Sequence, residues 1–293
     1  MKEPDAAAAD FKDVWDYADP EGSERRFGAL LGDLPVEADA SYRLVLMTQV
    51  ARAIGLQRRF DEAHALLDQV AADLDGAREV AQIRYLLERG RVFNSSGTPD
   101  TASPMFVEAW ERAVDASHDF HAVDAAHMVA IAEKGAESLA WNNRAIEYAE
   151  ASSDPTARGW LPSLYNNIGW AHHDAGRFDA ALDMFERAVD VRTQEDDPAA
   201  LRIARWSVAR CLRSLGENQR SLAIQLELLA EGTAAGEPDP YVHEELGELY
   251  AAVDRLDEGR PHFRLAHAEL SNDPWLVAGE PERLERMRAM GTD

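Results

Sequence analysis

The chain has 293 residues and a formal net charge of −24, because 54 acidic residues outnumber 30 basic residues. Such a charge repels nucleic acid and anionic membrane surfaces, and a hydrophobic content of 46% excludes a wholly disordered chain. The single cysteine, Cys211, excludes an intrachain disulfide and favours a reducing compartment. Because the chain shows no secretory signal and no apolar run of about 20 residues, we expect a cytoplasmic protein that binds neither nucleic acid nor membrane.

Residues 1–40 are predicted to form an N-terminal tail and capping helices. The first nine residues are rich in alanine and acidic residues and are expected to be disordered. Residues 10–32 carry Trp15 and Phe27, which are large apolar side chains at helical spacing. This segment is therefore predicted to cover one end of the structure that follows.

Repeated helix pairs are predicted over residues 41–272. The first helix of each pair carries a small residue where the second helix can approach closely. We call this small residue the register residue. Successive register residues are separated by 36 to 43 positions. The register residues are Ala51, Gly90, Ala126, Gly169, Ala209 and Gly247.

The clearest pair is residues 164–189, with the sequence LYNNIGWAHHDAGRFDAALDMFERAV. Tyr165 and Gly169 lie in its first helix, Ala181 and Phe185 in its second, and Gly176 in the turn between them. This pattern resembles the tetratricopeptide repeat. The resemblance implies an all-α, right-handed α-solenoid of about six helix pairs, whose first helices line a concave groove. Residues 273–293, after the last pair, are predicted to form a C-terminal capping helix.

Helical angle separates the packed side of the first helices from the free side. With Gly169 at zero and about 100° per residue, the packed residues Tyr165 and Ile168 fall near 260–320°. Positions three before, one after and four after the register residue fall near 40–100° and are free to face the groove. The candidate groove residues are Arg52, Arg91, Asn94, His127, Asn166, Trp170, His173, Trp206, Arg210 and Arg213.

The candidate groove residues predict a binding protein. In the first five pairs these positions hold no acidic residue, and Arg and Trp are the residues that dominate binding hot spots. We therefore expect a peptide- or protein-binding adaptor or sensor with an anionic or acidic ligand segment. It would not be an enzyme, and it would have no cofactor, metal ion or catalytic residue. The adjacent His172 and His173 cannot converge on one metal ion, because consecutive helical residues lie about 100° apart.

Two alternatives remain open on the sequence. His127, His173 and Arg210 could surround an anionic small molecule in the groove, with a histidine as general base. The groove or a cap could instead mediate assembly into a homo-oligomer. Cys211, which lies beside the core position Leu212, is expected to be a buried residue and not a nucleophile.

Overall fold

The computed structural model describes residue 11 and residues 13–292, and this part of the chain consists of helices and connections without strands. The predicted disordered tail, residues 1–9, lies outside the described residues. None of the helices within these ranges has the length and apolar composition that crossing a bilayer requires. The helices are α1 (Pro20–Gly32), α2 (Ala40–Leu56), α3 (Phe60–Ala72), α4 (Glu79–Ser95), α5 (Pro99–Asp115), α6 (Asp119–Ala132), α7 (Gly135–Ala151), α8 (Pro155–Arg158), α9 (Leu161–Asp174), α10 (Phe178–Arg192), α11 (Pro198–Ser214), α12 (Asn218–Ala235), α13 (Pro240–Ala252), α14 (Leu256–Leu270), α15 (Pro274–Gly279) and α16 (Pro281–Met290).

The six predicted helix pairs are confirmed. They are α2 with α3, α4 with α5, α6 with α7, α9 with α10, α11 with α12, and α13 with α14. All six register residues are buried, as close helix packing requires. The pairs belong to two compact units, one ending at Leu164 and the other beginning at Tyr165, so that the boundary falls within α9.

Each unit has a capping helix at the chain end, as the sequence predicted. In the first unit Phe27 of α1 is fully buried, and its ring meets that of Phe11 edge-on at 5.5 Å. In the second unit Leu284 and Met287 of α16 pack in one cluster with Phe263 of α14. These helices bury apolar faces that a terminal pair would otherwise expose to water.

The two helices of each pair have complementary side-chain sizes. Three pairs have glycine as the register residue, and the residue sixteen positions later is then a fully buried phenylalanine. A Cβ on Gly90, Gly169 or Gly247 would lie 2.4–2.8 Å from that ring, which is closer than any real contact. The other three pairs have alanine in the first helix and a smaller side chain than phenylalanine in the second. The combinations are Gly90 with Phe106, Gly169 with Phe185, Gly247 with Phe263, Ala51 with Leu67, Ala126 with Asn142, and Ala209 with Gln225.

Candidate ligand-binding site

An apolar pocket of about 700 Å³ lies in the second unit, between α11 and the connection that leads into α13. We call it the tryptophan pocket. Its aromatic wall consists of Trp170, Trp206 and Tyr241, with ring centroids 6.0 Å apart for the two tryptophans and 6.2 Å apart for Trp206 and Tyr241. Ile203 also lines the pocket and is 62% exposed. The pocket thus presents large apolar side chains to solvent.

Local sequence signals position this wall. Asp197 caps α11 by accepting a hydrogen bond from the backbone N–H of Ala200 at 2.9 Å. Asp239 caps α13 in the same way through the N–H of Tyr241 at 2.8 Å. Both helices begin with proline directly after the cap, which sets φ for the first turn. The caps therefore fix where α11 and α13 begin, and this places Ile203 and Tyr241 at the pocket.

A polar cluster occupies the same helices toward their C-terminal ends. Arg213 donates two hydrogen bonds to Glu245, at 2.7 and 2.9 Å, and Arg210 Nε lies 3.2 Å from the same carboxylate. Arg210 Nη1 also donates to Ser214 Oγ at 2.6 Å, and that hydroxyl lies 2.9 Å from His173 Nε2. Burial, and secondarily the nearby Arg210, lower the pKa of His173 below its ordinary value, so its ring is neutral at pH 7.

The first unit contains a corresponding buried ionic cluster. Arg91 donates to both oxygens of Asp124, at 2.5 and 2.6 Å, and to Glu88 at 2.7 Å. Arg52 lies 3.5 Å from the same Glu88. Both carboxylates are almost completely buried. His127 lies nearby in α6, and burial lowers its pKa as well.

Ion pairs between successive helix pairs compensate several of the candidate arginines. The arginine one position after the register residue contacts a carboxylate two positions before the register residue of the next pair. Arg52 contacts Glu88, Arg91 contacts Asp124, and Arg210 contacts Glu245 in this way. These acidic residues lie near 160° around the helix axis, measured from the register residue. The helical-angle argument assigned this direction neither to the packed side nor to the free side. The candidate arginines therefore carry charge that neighbouring helices largely compensate.

The remaining candidate residues are distributed over both units. In the second unit Trp170 and Trp206 line the tryptophan pocket, and Asn166 accepts a hydrogen bond from Ser207 at 3.3 Å. In the first unit Asn94 is half-buried near the end of α4, and the ring of His127 lies 5.5 Å from that of Trp160. No group of three side chains suited to a metal ion occurs within the described ranges.

Sequence reasoning missed Ile203 and Tyr241, although the same angular argument could have found them. Each lies six positions before its register residue, Ala209 or Gly247. This position falls near 120°, one turn further along the free side of the helix. The corresponding positions in α4 and α6 are Arg84 and Phe120, which line a cavity of the first unit. The free side is thus one turn longer than the three positions considered.

Cys211 is fully buried beside Leu212, and burial raises the pKa of its thiol to about 11. A neutral, inaccessible thiol reacts slowly. We therefore expect no reaction with a thiol-specific reagent at pH 8 in the native protein, and complete reaction in denaturant. Rapid reaction of the folded protein would contradict the burial described here.

The comparison with known proteins agrees with this geometry. A family model of the tetratricopeptide repeat matches residues 121–194, which include the clearest pair. This segment therefore carries tetratricopeptide repeats. No curated protein is similar enough in sequence to match the chain.

Several solved structures resemble this chain in fold. The apo form of RapI aligns with a TM-score of 0.73 at 10% identity, covering 92% of this chain and 81% of that chain. A signal transduction ATPase with a tetratricopeptide repeat sensor from Pyrococcus horikoshii aligns at 0.71 and 10% identity, covering 91% and 41%. NprR in complex with its cognate peptide NprX aligns at 0.50 and 16% identity, covering 92% and 77%. These similarities confirm the expected all-α solenoid fold.

Proposed function

We propose that this protein binds a peptide, or an extended segment of a protein partner, through the tryptophan pocket. The observation that carries the proposal is the aromatic wall of Trp170, Trp206 and Tyr241 beside the exposed Ile203. Exposed apolar surface of this kind costs free energy in water, and it marks interaction sites in soluble proteins. The known binding of peptide NprX by NprR, which has a similar fold, supports this proposal.

The proposed ligand segment carries an aromatic or aliphatic side chain that enters the pocket. At the rim of the pocket, Arg202 forms an ion pair with Glu237, and the two charges compensate each other. Arg210 and Arg213 already contact Glu245. An acidic segment, which the sequence favoured, would have to compete with that carboxylate, so apolar contact is the main contribution in this proposal.

The proposed role is binding without catalysis, in the cytoplasm. The side chains around the pocket are aromatic or aliphatic, apart from the ion pair of Arg202 with Glu237 and the helix-capping Asp239, and this lining suits recognition of a side chain. His173 contacts Ser214 and Arg210 in the polar cluster, where these groups hold one another in position. The proposal therefore assigns His173 a structural role.

The experiment is selection of peptides from a random phage-displayed library against the full chain, followed by measurement of Kd for the selected peptides. We expect selected sequences with an aromatic or aliphatic anchor. Trp206→Ala should weaken binding by about 30-fold, which corresponds to about 2 kcal/mol, because it removes a large contact surface. Ile203→Glu should weaken binding at least about tenfold, because it places a charge against an apolar ligand group.

A matched control is available in the first unit. Ile131 is 51% exposed, comparable to Ile203, and does not line the tryptophan pocket. Ile131→Glu should leave Kd unchanged. Selected peptides that bind Ile203→Glu and Trp206→Ala as tightly as the wild type would show that the pocket is not the binding site.

A further inference from the structure

Two histidines meet between the helices of the last pair. His243 lies in α13 and His262 in α14, nineteen positions later in the sequence. Their Nδ1 atoms are 2.8 Å apart, and their ring centroids are 5.1 Å apart. One Nδ1 must carry a proton and the other a lone pair, because a hydrogen bond needs one donor and one acceptor. We call these two residues the histidine pair.

An imidazole replaces an apolar side chain at the position of His262. This position lies fifteen residues after the register residue, and in the other five pairs it holds a large apolar residue. Those residues are Leu66, Met105, Trp141, Met184 and Ile224. A polar ring at such a position loses apolar burial and must find a partner for its nitrogens. The exchange therefore indicates a role beyond the packing of two helices.

Both rings of the histidine pair have the properties of a metal ligand at pH 7. Each side chain is half-buried, so an ion can reach it from solvent. Burial lowers the pKa of His243, and burial followed by the nearby His243 lowers the pKa of His262, so both rings are neutral. Neutral imidazole is the commonest metal ligand in proteins. The carboxylate of Asp239 acts electrostatically on His243 and favours an added positive charge.

Tyr250 holds the ring of His262 in its orientation. The two rings stack with centroids 5.8 Å apart and an angle of 16° between their planes. Tyr250 is itself buried in the apolar cluster that contains Leu246 and Leu249. Stacking on a fixed ring restricts the rotation of the imidazole. A ligand that is already oriented loses less conformational entropy when an ion binds.

The separation of the two rings fits tetrahedral coordination of zinc. With Zn–N distances of about 2.0–2.1 Å, two imidazoles of a tetrahedral site have their nitrogens about 3.3 Å apart and their ring centroids about 5 Å apart. The observed centroid distance of 5.1 Å already has this value. The rings need only pivot until the nitrogens have separated by about 0.5 Å. The proton between them moves to Nε2 of its own ring, which leaves both Nδ1 lone pairs for the ion.

We propose that His243 and His262 bind a Zn²⁺ ion between α13 and α14 through their Nδ1 atoms, with water at the remaining coordination positions. Zinc accepts imidazole nitrogen readily and adopts tetrahedral geometry. Because the two ligands lie on different helices, the ion joins the helices of the last pair and stabilises the folded state. The field of a chain with a net charge of −24 attracts the cation. The site is separate from the tryptophan pocket, whose lining contains neither histidine.

Isothermal titration calorimetry of the full chain with zinc chloride tests the proposal. We expect one saturable site per chain for Zn²⁺ and much weaker binding of Mg²⁺, which prefers oxygen ligands. Zn²⁺ at about a hundredfold excess over its Kd should raise the midpoint of thermal unfolding by about 2 °C or more, and EDTA should reverse the rise. Binding of Mg²⁺ as tight as that of Zn²⁺ would overturn the choice of a nitrogen-preferring ion.

Substitutions copied from another helix pair remove each ligand while preserving the packing. His262→Leu reproduces Leu66 of the first pair, and His243→Met reproduces Met47, which lies four positions before its register residue. Each variant should weaken Zn²⁺ binding at least about tenfold and lose the zinc-dependent rise in the unfolding midpoint. The control is His267→Gln, which removes a half-buried histidine of α14 outside the pair and should retain binding.

A readout on the wild type needs no variant to fold. Zn²⁺ should shift the imidazole NMR signals of His243 and His262 and leave those of His267 in place. Equal Zn²⁺ affinity of wild type, His262→Leu and His243→Met would overturn the proposal, because the ion would then bind elsewhere, such as at surface carboxylates. Absence of saturable Zn²⁺ binding by the wild type would have the same consequence. Either result leaves the peptide proposal intact, because that proposal is tested at Ile203 and Trp206.

Discussion

Gly169→Leu is expected to lower the free energy of unfolding by about 2 kcal/mol or more. A Cβ at this position would lie 2.4 Å from Cε1 of Phe185, and that ring is fully buried with no room to move. The larger leucine side chain would force the backbones of α9 and α10 apart. Denaturant unfolding monitored by circular dichroism measures the change, and an unfolding curve identical to that of the wild type would contradict the assigned register.

The paired sizes in each helix pair allow a sharper version of this test. Gly169→Ala and Phe185→Leu should each destabilise the protein, the first by overpacking and the second by leaving a cavity. The double variant reproduces the combination that Ala51 and Leu67 already show. Its loss should therefore be clearly smaller than the sum of the single losses. Strict additivity would show that the two positions do not share one volume.

Gly28→Ala serves as the control for glycine substitution. Gly28 lies in α1, is exposed, and a Cβ there would meet no atom within 4 Å. Alanine has a higher helix propensity than glycine, so this variant should be stabilised by up to about 1 kcal/mol. The opposite signs at Gly28 and Gly169 would separate backbone propensity from packing.

Asp124→Ala is expected to destabilise the first unit by about 3 kcal/mol. The carboxylate is 5% exposed and accepts two hydrogen bonds from Arg91. Its removal leaves a buried guanidinium that must share Glu88 with Arg52. Thermal and denaturant unfolding measure the loss. A change below about 0.5 kcal/mol would show that water reaches Arg91 and that the pair is not buried in solution.

Removing both charges should cost less than removing one. Asp124→Leu combined with Arg91→Met replaces the pair by apolar side chains, and such replacements are often close to neutral. The exposed pair Glu285 with Arg288 is the surface control, and Arg288→Ala should change stability by less than about 1 kcal/mol. A double variant as unstable as Asp124→Ala would contradict the desolvation argument.

The same pair makes stability depend on acidic pH. Burial raises the pKa of Asp124, but Arg91 and Arg52 outweigh it and hold the pKa below the ordinary value of 3.8. A carboxyl with a lowered folded-state pKa stabilises the protein at pH above its unfolded value and loses this contribution as the pH falls through the folded value. We expect the double variant to lose less stability than wild type as the pH falls below about 3.8.

The sequence predicted the helix pairs because their signals are local and repeat. Gly169 and Phe185 lie sixteen positions apart, on the two helices of one pair. The same spacing recurs at Gly90 with Phe106 and at Gly247 with Phe263. Small residues at a helix crossing and proline after an acidic cap report the local backbone directly. The chain therefore determines its pairs, register and caps without reference to distant contacts.

The binding surfaces could be predicted only in part. Trp170 and Trp206 were found because helical angle alone places them on the free side. The cavity of the first unit was missed because Phe11, Trp15 and Tyr17, which line it, come from a segment outside the repeats, whose path over α2 and α4 has no periodic signal. Arg84 was missed because the free side was taken one turn too short.

The tertiary structure decided how far the charges of the candidate arginines are compensated. Arg91 and Asp124 are 33 positions apart in sequence, and Arg213 and Glu245 are 32 apart. Neither sequence separation predicts a contact, because the contact depends on how adjacent helix pairs stack. By itself, the sequence determined which side of each first helix is packed against its neighbours and which side is free. Stacking of neighbouring pairs decided which carboxylate each outward arginine meets, since a buried charge is stable only beside its partner.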